Sequence, residues 1–210
     1  MSKRWMMVAG ALLLLCAAPP AVMAAAESMV TVTLGSQAPR GAFSEVAKSG
    51  SMAGLSAGYR VVRWLATGVD YSYFRSPGTH NGEVMDILER SSGRTVNITL
   101  VENWTVTELG LYAKAFVLER GRFAPYLRAG AGTYAIRYNQ DVSAASATTT
   151  LGGTESKSKA GVNAGAGLRY RVVGGTTLGL EALYHRIYAR DIKVNLWTTG
   201  VTVGFGPTGN

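Results

Sequence analysis

Between residues 102 and 205 the chain runs as a series of segments ten or more residues long, in which small or apolar side chains alternate with polar ones. In the first of these, Leu109, Leu111, Ala113, Ala115 and Val117 fall on one face. Glu108, Gly110, Tyr112, Lys114 and Phe116 fall on the other. A period of two sets successive side chains on opposite faces of a strand. One oily face, one face carrying charge, and a length that crosses a bilayer at a tilt describe a membrane-spanning β-strand. The signal in any one segment is weak. It gains force because it repeats and because an export signal precedes it.

That signal is read in residues 1–26. Ser2, Lys3 and Arg4 give a short polar, positive start, and residues 6–18 form an apolar run. Pro19 and Pro20 break the run, and the small residues around Ala24 offer a cleavage site. The run is too short for a membrane anchor and no positive flank follows it. The expected organisation is therefore a cleavable signal peptide, residues 1–26, followed by one β-barrel domain, residues 27–210. Cys16, the single cysteine, lies within the apolar run, and Leu15 stands where a lipoprotein signal needs a small residue. The mature chain then has no disulfide to hold it together.

After the signal no window of 18 apolar residues occurs, so transmembrane helices are not expected. The formal net charge is +8, of which Lys3 and Arg4 contribute two. The cations are spread over turns and strand faces, which argues against nucleic acid as a partner. A basic exterior meeting lipid headgroups or lipopolysaccharide is the natural outcome.

The strands are expected at 29–35, 51–60, 65–74, a segment that ends near 117 and begins as early as 95, 123–138, 159–172, 176–190 and 192–205. Ala53, Leu55, Ala57 and Tyr59 share a face of the second, and Leu65, Thr67, Val69, Tyr71 and Tyr73 share the outward face of the third. Loops rich in Gly, Ser and Pro or in Ser, Thr and Ala are expected at 36–50, 75–94 and 139–158, with a helical turn or two at 82–89. Long connections after strands one, three and five alternate with short ones after two, four and six. The fold class is all-β: an eight-stranded antiparallel transmembrane β-barrel, closed so that no edge is exposed.

With the strands placed, the pattern resembles the small outer-membrane barrels of the OmpA/OmpX and OmpW type. The resemblance is carried by residues 54–60 (GLSAGYR) with 65–73, by 124–132 (APYLRAGAG), and by 161–171 (GVNAGAGLRYR). It covers essentially the whole mature chain and specifies architecture, not activity. Such barrels commonly end on an aromatic residue read by the barrel assembly machinery; its counterpart here is Phe205, followed by residues 206–210.

Parity with the inward glycines places Asp70, Glu108, Lys114, Arg128, Arg169, Glu181 and His185 inside. Buried charges survive only when paired and hydrogen-bonded. An interior network is therefore expected, with Arg128 and Lys114 paired to some of Glu108, Glu181 and Asp70. The family resemblance implies that such a network blocks or gates the lumen. An eight-stranded barrel is just wide enough for side chains to fill it. Aromatic girdles are expected from Tyr59, Trp64, Phe123, Tyr170 and Phe205 at one membrane face. Tyr71, Tyr73, Tyr184, Tyr188 and Trp197 would make the other.

A hydrolase would need a nucleophile and an oriented histidine. The chain has two histidines, His80 in a polar loop and His185 in a strand, so no catalytic residue is assigned. No metal site and no cofactor are expected, because histidine and cysteine are not clustered. The glycine pairs at 130–132 and 165–167 sit inside strands and open no helix, as a phosphate loop must. The leading expectation is a non-enzymatic barrel for envelope structure or contact through its surface loops, with narrow or gated passage of small solutes. Alternatives are a channel for small apolar solutes of the OmpW kind, a lipid-modifying enzyme, and a soluble lipocalin-like barrel, which would pack apolar residues inside.

Overall fold

Alternation becomes backbone geometry along the strands. In the computed structural model the described residues are 28–80, 84–88, 95–118, 122–144, 147–150, 157–172, 174–189 and 194–206. The expected signal segment lies outside them. Ten strands follow in order: β1 (Ser28–Arg40), β2 (Gly50–Val62), β3 (Leu65–Pro77), β4 (Val84–Leu88), β5 (Thr95–Phe116), β6 (Phe123–Ala144), β7 (Ala147–Thr150), β8 (Lys157–Arg171), β9 (Thr176–Ile187) and β10 (Val194–Phe205). Eight of them close into a barrel. Going round it, β1, β2, β3, β5, β6, β8, β9 and β10 each pair antiparallel with the next, and β10 returns to β1. Closure satisfies every ladder internally, which a bilayer demands of backbone polar groups.

The two long strands rise beyond this cylinder. β4 pairs with the start of β5, and β7 with the end of β6, so that the β5–β6 hairpin is flanked by a short strand on each side. These elements correct three expectations. Residues 84–88 form a strand where a helical turn was expected. Much of the expected loop at 139–158 is sheet. The third correction concerns the first strand, which continues past Gly35 to Arg40. The link after it is a 3-10 turn, Gly41–Glu45, that buries Phe43 instead of being displayed. β9 ends at Ile187, short of the expected 190, and the expected start of β10 at 192 lies outside the described residues.

The side chains sort by parity. Val32, Leu34, Leu55, Leu109, Leu111, Leu127, Leu180 and Val201 are exposed on the outside, while Thr31, Ser56, Asp70, Glu108, Arg128, Glu181 and Thr202 are buried inside. An apolar exterior around a polar interior is the inverse of a soluble protein and suits a wall that faces lipid. The outward face of β3 from residue 65 to 73 is nine residues long, about 27 Å along a tilted strand. That is the length a transmembrane β-strand needs.

Short connections gather at one end, with Ser28 and Phe205. There Gly174 and Gly175 take φ of 65° and 79°, the left-handed conformation a tight hairpin turn requires. Long connections gather at the other end. Small outer-membrane barrels keep short turns on the periplasmic side and long loops outside. Glycine serves a second purpose inside. Tyr134 lies against Gly161, where a Cβ would stand 2.6 Å from its ring. Tyr112 lies against Gly68, where a Cβ would stand 2.8 Å from its hydroxyl. Bare backbone lets large rings lie flat on the wall of a narrow lumen.

Candidate functional site

The lumen is filled in layers. Lowest, near the short turns, Phe116 is flanked by the guanidinium groups of Arg60 and Arg169, at 4.8 and 4.4 Å from its ring centroid. Tyr126 meets Phe116 edge to face at 5.8 Å. Cations over an aromatic face gain from the ring quadrupole.

The next layer is ionic. Lys114 on β5 and Arg128 on β6 are direct cross-strand partners, so two positive charges stand side by side. Like charges in that position repel. Two carboxylates answer them. Arg128 Nη2 donates to Asp70 Oδ2 at 2.6 Å, and Nη1 donates to Glu181 Oε1 at 2.7 Å. Lys114 Nζ lies 3.3 Å from Glu181 Oε2, and the Tyr126 hydroxyl donates to the same oxygen at 2.9 Å. Arg128 also lies over the Tyr112 ring, 4.7 Å from its centroid. β3 and β9 lie on opposite sides of β6 around the wall, so one guanidinium spans the lumen between them. All four charged side chains are buried. Buried ions stay charged only when geometry and hydrogen bonding offset desolvation, and each carboxylate here accepts from Arg128.

Above it sits a second cluster built on Glu108, which is fully buried. Its Oε1 accepts from the Tyr134 hydroxyl at 2.5 Å and from Asn163 Nδ2 at 2.7 Å. Its Oε2 lies 3.3 Å from His185 Nδ1. His185 Nε2 lies 3.2 Å from Thr198 Oγ1, and the ring packs edge-on against Phe74 at 5.3 Å.

The outermost layer is apolar. Phe43, Met52, Phe74, Val106, Ile187, Val194 and Leu196 form one buried cluster that includes Tyr134 from below. The 3-10 turn supplies Phe43, which meets Trp104 edge to face at 5.5 Å. Trp104 Nε1 donates to the Val46 carbonyl at 3.1 Å, tying the turn to β5. Beside it, Gln37 donates to Ser76 across the rim.

Of the residues expected inside, Asp70, Lys114, Arg128 and Glu181 come together in one group. Glu108 and His185 come together in another, and Arg169 stands apart over Phe116. Sequence reasoning assigned no role to Tyr126, Tyr134, Asn163 and Thr198, although inward parity was their signal. It also missed Phe43, an isolated aromatic in a loop, for which the sequence offered no signal. Outside, Trp64, Tyr71, Tyr73, Phe123, Trp197 and Phe205 are exposed, and Tyr59, Tyr170 and Tyr184 are half-buried. Tyr184 packs at a tilt against Trp197, ring centroids 5.3 Å apart, and Phe123 against Tyr170 at 4.8 Å. Among the described residues no group of three or more His, Cys, Asp and Glu is placed to hold a metal ion.

A closed eight-stranded cylinder, greasy outside and ionic inside, narrows the possibilities to one architecture. The sequence matches the outer membrane protein beta-barrel domain family over residues 7–206. The chain belongs to that family. It is a protein of the outer membrane, with its barrel wall in contact with membrane lipid. Among solved structures it is similar to the Neisserial surface protein A, at 18% identity, covering 85% of this chain and 96% of that one with a TM-score of 0.57. It is also similar to Ail, the attachment invasion locus protein of Yersinia pestis, at 17% identity, covering 86% and 99% with a TM-score of 0.48. The first likeness shows the fold. A search of curated proteins finds no match.

Proposed function

We propose that this outer-membrane barrel is a non-enzymatic, sealed anchor that holds the projecting arms of β5 and β6 above the membrane for envelope structure or surface contact. The observation that carries the reading is the filling of the lumen. The Asp70–Arg128–Glu181–Lys114 group spans it, and the apolar cluster around Phe43 lies above. Sealing by side chains is what an eight-stranded cylinder allows. The projecting arms of β5 and β6, extended by β4 and β7, support the display role, because loops carry specificity on a rigid scaffold.

The line Glu108, His185, Thr198 has the order of a hydrolase relay. Its surroundings favour a structural role. All three side chains are buried, Phe74 and Tyr134 pack on the imidazole, and Thr198 Oγ1 also donates to the Leu183 carbonyl at 3.4 Å. A substrate carbonyl would have to displace those rings. The deposit of the barrel in the membrane falls to the barrel assembly machinery on this reading, with the last strand ending at Phe205.

Planar-bilayer recording tests the proposal. The inserted wild-type protein is expected to give no steady conductance steps, and Arg128→Ala is expected to give small, flickering ones. A steady ohmic channel from the wild type, with gel mobility shifting on heating as a folded barrel's does, would overturn the sealed-anchor reading.

A further inference from the structure

On the outer wall, register aligns side chains of β1, β10 and β9 into rows. At the loop end Arg40 pairs with Asn195, and Asn195 with Arg186, all on the outward face. Arg40 and Arg186 are exposed and stand two strand spacings apart, about 10 Å. Arg186 also lies over the Tyr188 ring, 5.7 Å from its centroid, at the rim. One outward row lower is the aromatic pair Trp197 and Tyr184. One further row lower the wall becomes small: Ser36, Thr199, Ala182 and Ala166 are cross-strand neighbours, and they line a hollow of about 750 Å³. Leu34 and Leu180 form its lower lip.

Going down the wall, the order is cation pair, aromatic shelf, apolar hollow. Arginine presents a planar fork to phosphate oxygens and holds them bidentately. Tyrosine and tryptophan mark the headgroup level of a bilayer. An open apolar concavity directly beneath, at acyl depth, takes a chain that leaves the same headgroup. We infer that Arg40 and Arg186 clasp a phosphate of a phosphorylated glycolipid of the outer leaflet, with one of its acyl chains lying in the hollow. This rests on the long loops facing outward, as the proposed function has it, and it adds a specific lipid site to a wall otherwise in general lipid contact.

The wall supplies its own control. Arg75, Thr105 and Arg137 make a second outward row with the same spacing on β3, β5 and β6. That pair stands over Tyr73 and Thr107 instead of over the hollow. If charge alone attracted the lipid, the two pairs would be equivalent.

Native mass spectrometry of the detergent-purified barrel, titrated with bis-phosphorylated lipid A, decides the matter. Wild type is expected to retain one lipid A per barrel. The double variant Arg40→Gln, Arg186→Gln is expected to lose retention about tenfold, and Arg75→Gln, Arg137→Gln to retain it. Ala182→Leu, which fills the hollow and leaves both arginines, is expected to weaken retention as well. Dephosphorylated lipid A and phosphatidylglycerol are expected to be held no better by wild type than by the double variant. Equal losses from the two arginine pairs, or equal retention of phosphatidylglycerol and lipid A, would overturn the inference. Each variant is scored only when its gel mobility still shifts on heating. A wild type that shows no such shift would sink the barrel reading itself and not this site alone.

Discussion

Arg128 is the residue on which the interior turns. It donates to Asp70 and Glu181 together and is buried with both. Removing one partner of a buried ionic group leaves uncompensated charge, at a cost of about 3–5 kcal/mol. Arg128→Ala is therefore expected to lower the unfolding free energy of the vesicle-inserted barrel by about that amount. Two carboxylates lose their principal cation while Lys114 keeps a partner only in Glu181. Arg128→Lys is expected to cost less, because charge is kept while the two-pronged geometry is lost. Urea unfolding followed by tryptophan fluorescence measures both. Equal losses for the two variants would show that geometry, not charge, dominates the group. The membership of this group was legible from parity alone, since Asp70, Lys114, Arg128 and Glu181 alternate in phase with glycines that cannot face lipid usefully. The partnership was legible only in part: Arg128 and Lys114 were expected to pair with some of Glu108, Glu181 and Asp70, and which of the three was left open. Parity puts a side chain inside but says nothing of its height, and height decides that Glu108 meets His185 and Tyr134 instead of Arg128.

At the scale of the element, strands were readable wherever one face met lipid, because alternation is then enforced on every second residue. It fails above the membrane. There no lipid face enforces it, so nothing in the sequence of residues 139–144 distinguishes sheet from loop. The link at residues 41–49 failed for the opposite reason. Its glycine- and serine-rich neighbours announce a surface loop, yet one aromatic, Phe43, draws it into the mouth of the barrel. Phe43 touches the apolar cluster and Trp104, and the Ala47 amide donates back to the Phe43 carbonyl at 3.1 Å. Phe→Ala in a packed core costs about 3–5 kcal/mol. Phe43→Ala is expected at the lower end of that range, since a loop collapses into a void more easily than a strand does. The amides of Val46 and Ala47 are expected to exchange with solvent faster. Conductance is expected to stay absent, because the ionic layer beneath remains closed. Unchanged exchange at those amides would show that the turn is held by its backbone bonds and not by the ring.

For the whole molecule, two kinds of charge stand in two environments, and salt separates them. On the sealed-anchor reading, the ionic layer lies inside a closed wall, beyond the reach of mobile ions. The rim arginines meet water and headgroups. At 1 M salt the screening length falls to about 3 Å, which weakens exposed pairs and leaves buried ones nearly untouched. The urea midpoint of the barrel in neutral lipid vesicles is therefore expected to be almost the same in 0.05 M and 1 M sodium chloride. The difference between wild type and Arg128→Ala is likewise expected to persist at high salt. Retention of phosphorylated lipid through Arg40 and Arg186 is expected to weaken over the same range, because that contact is made at the surface. A midpoint that falls steeply with salt would mean that ions reach Arg128, and so that the lumen is open to water rather than sealed. The two measurements share one sample and one variable, yet they respond to opposite sides of the same wall.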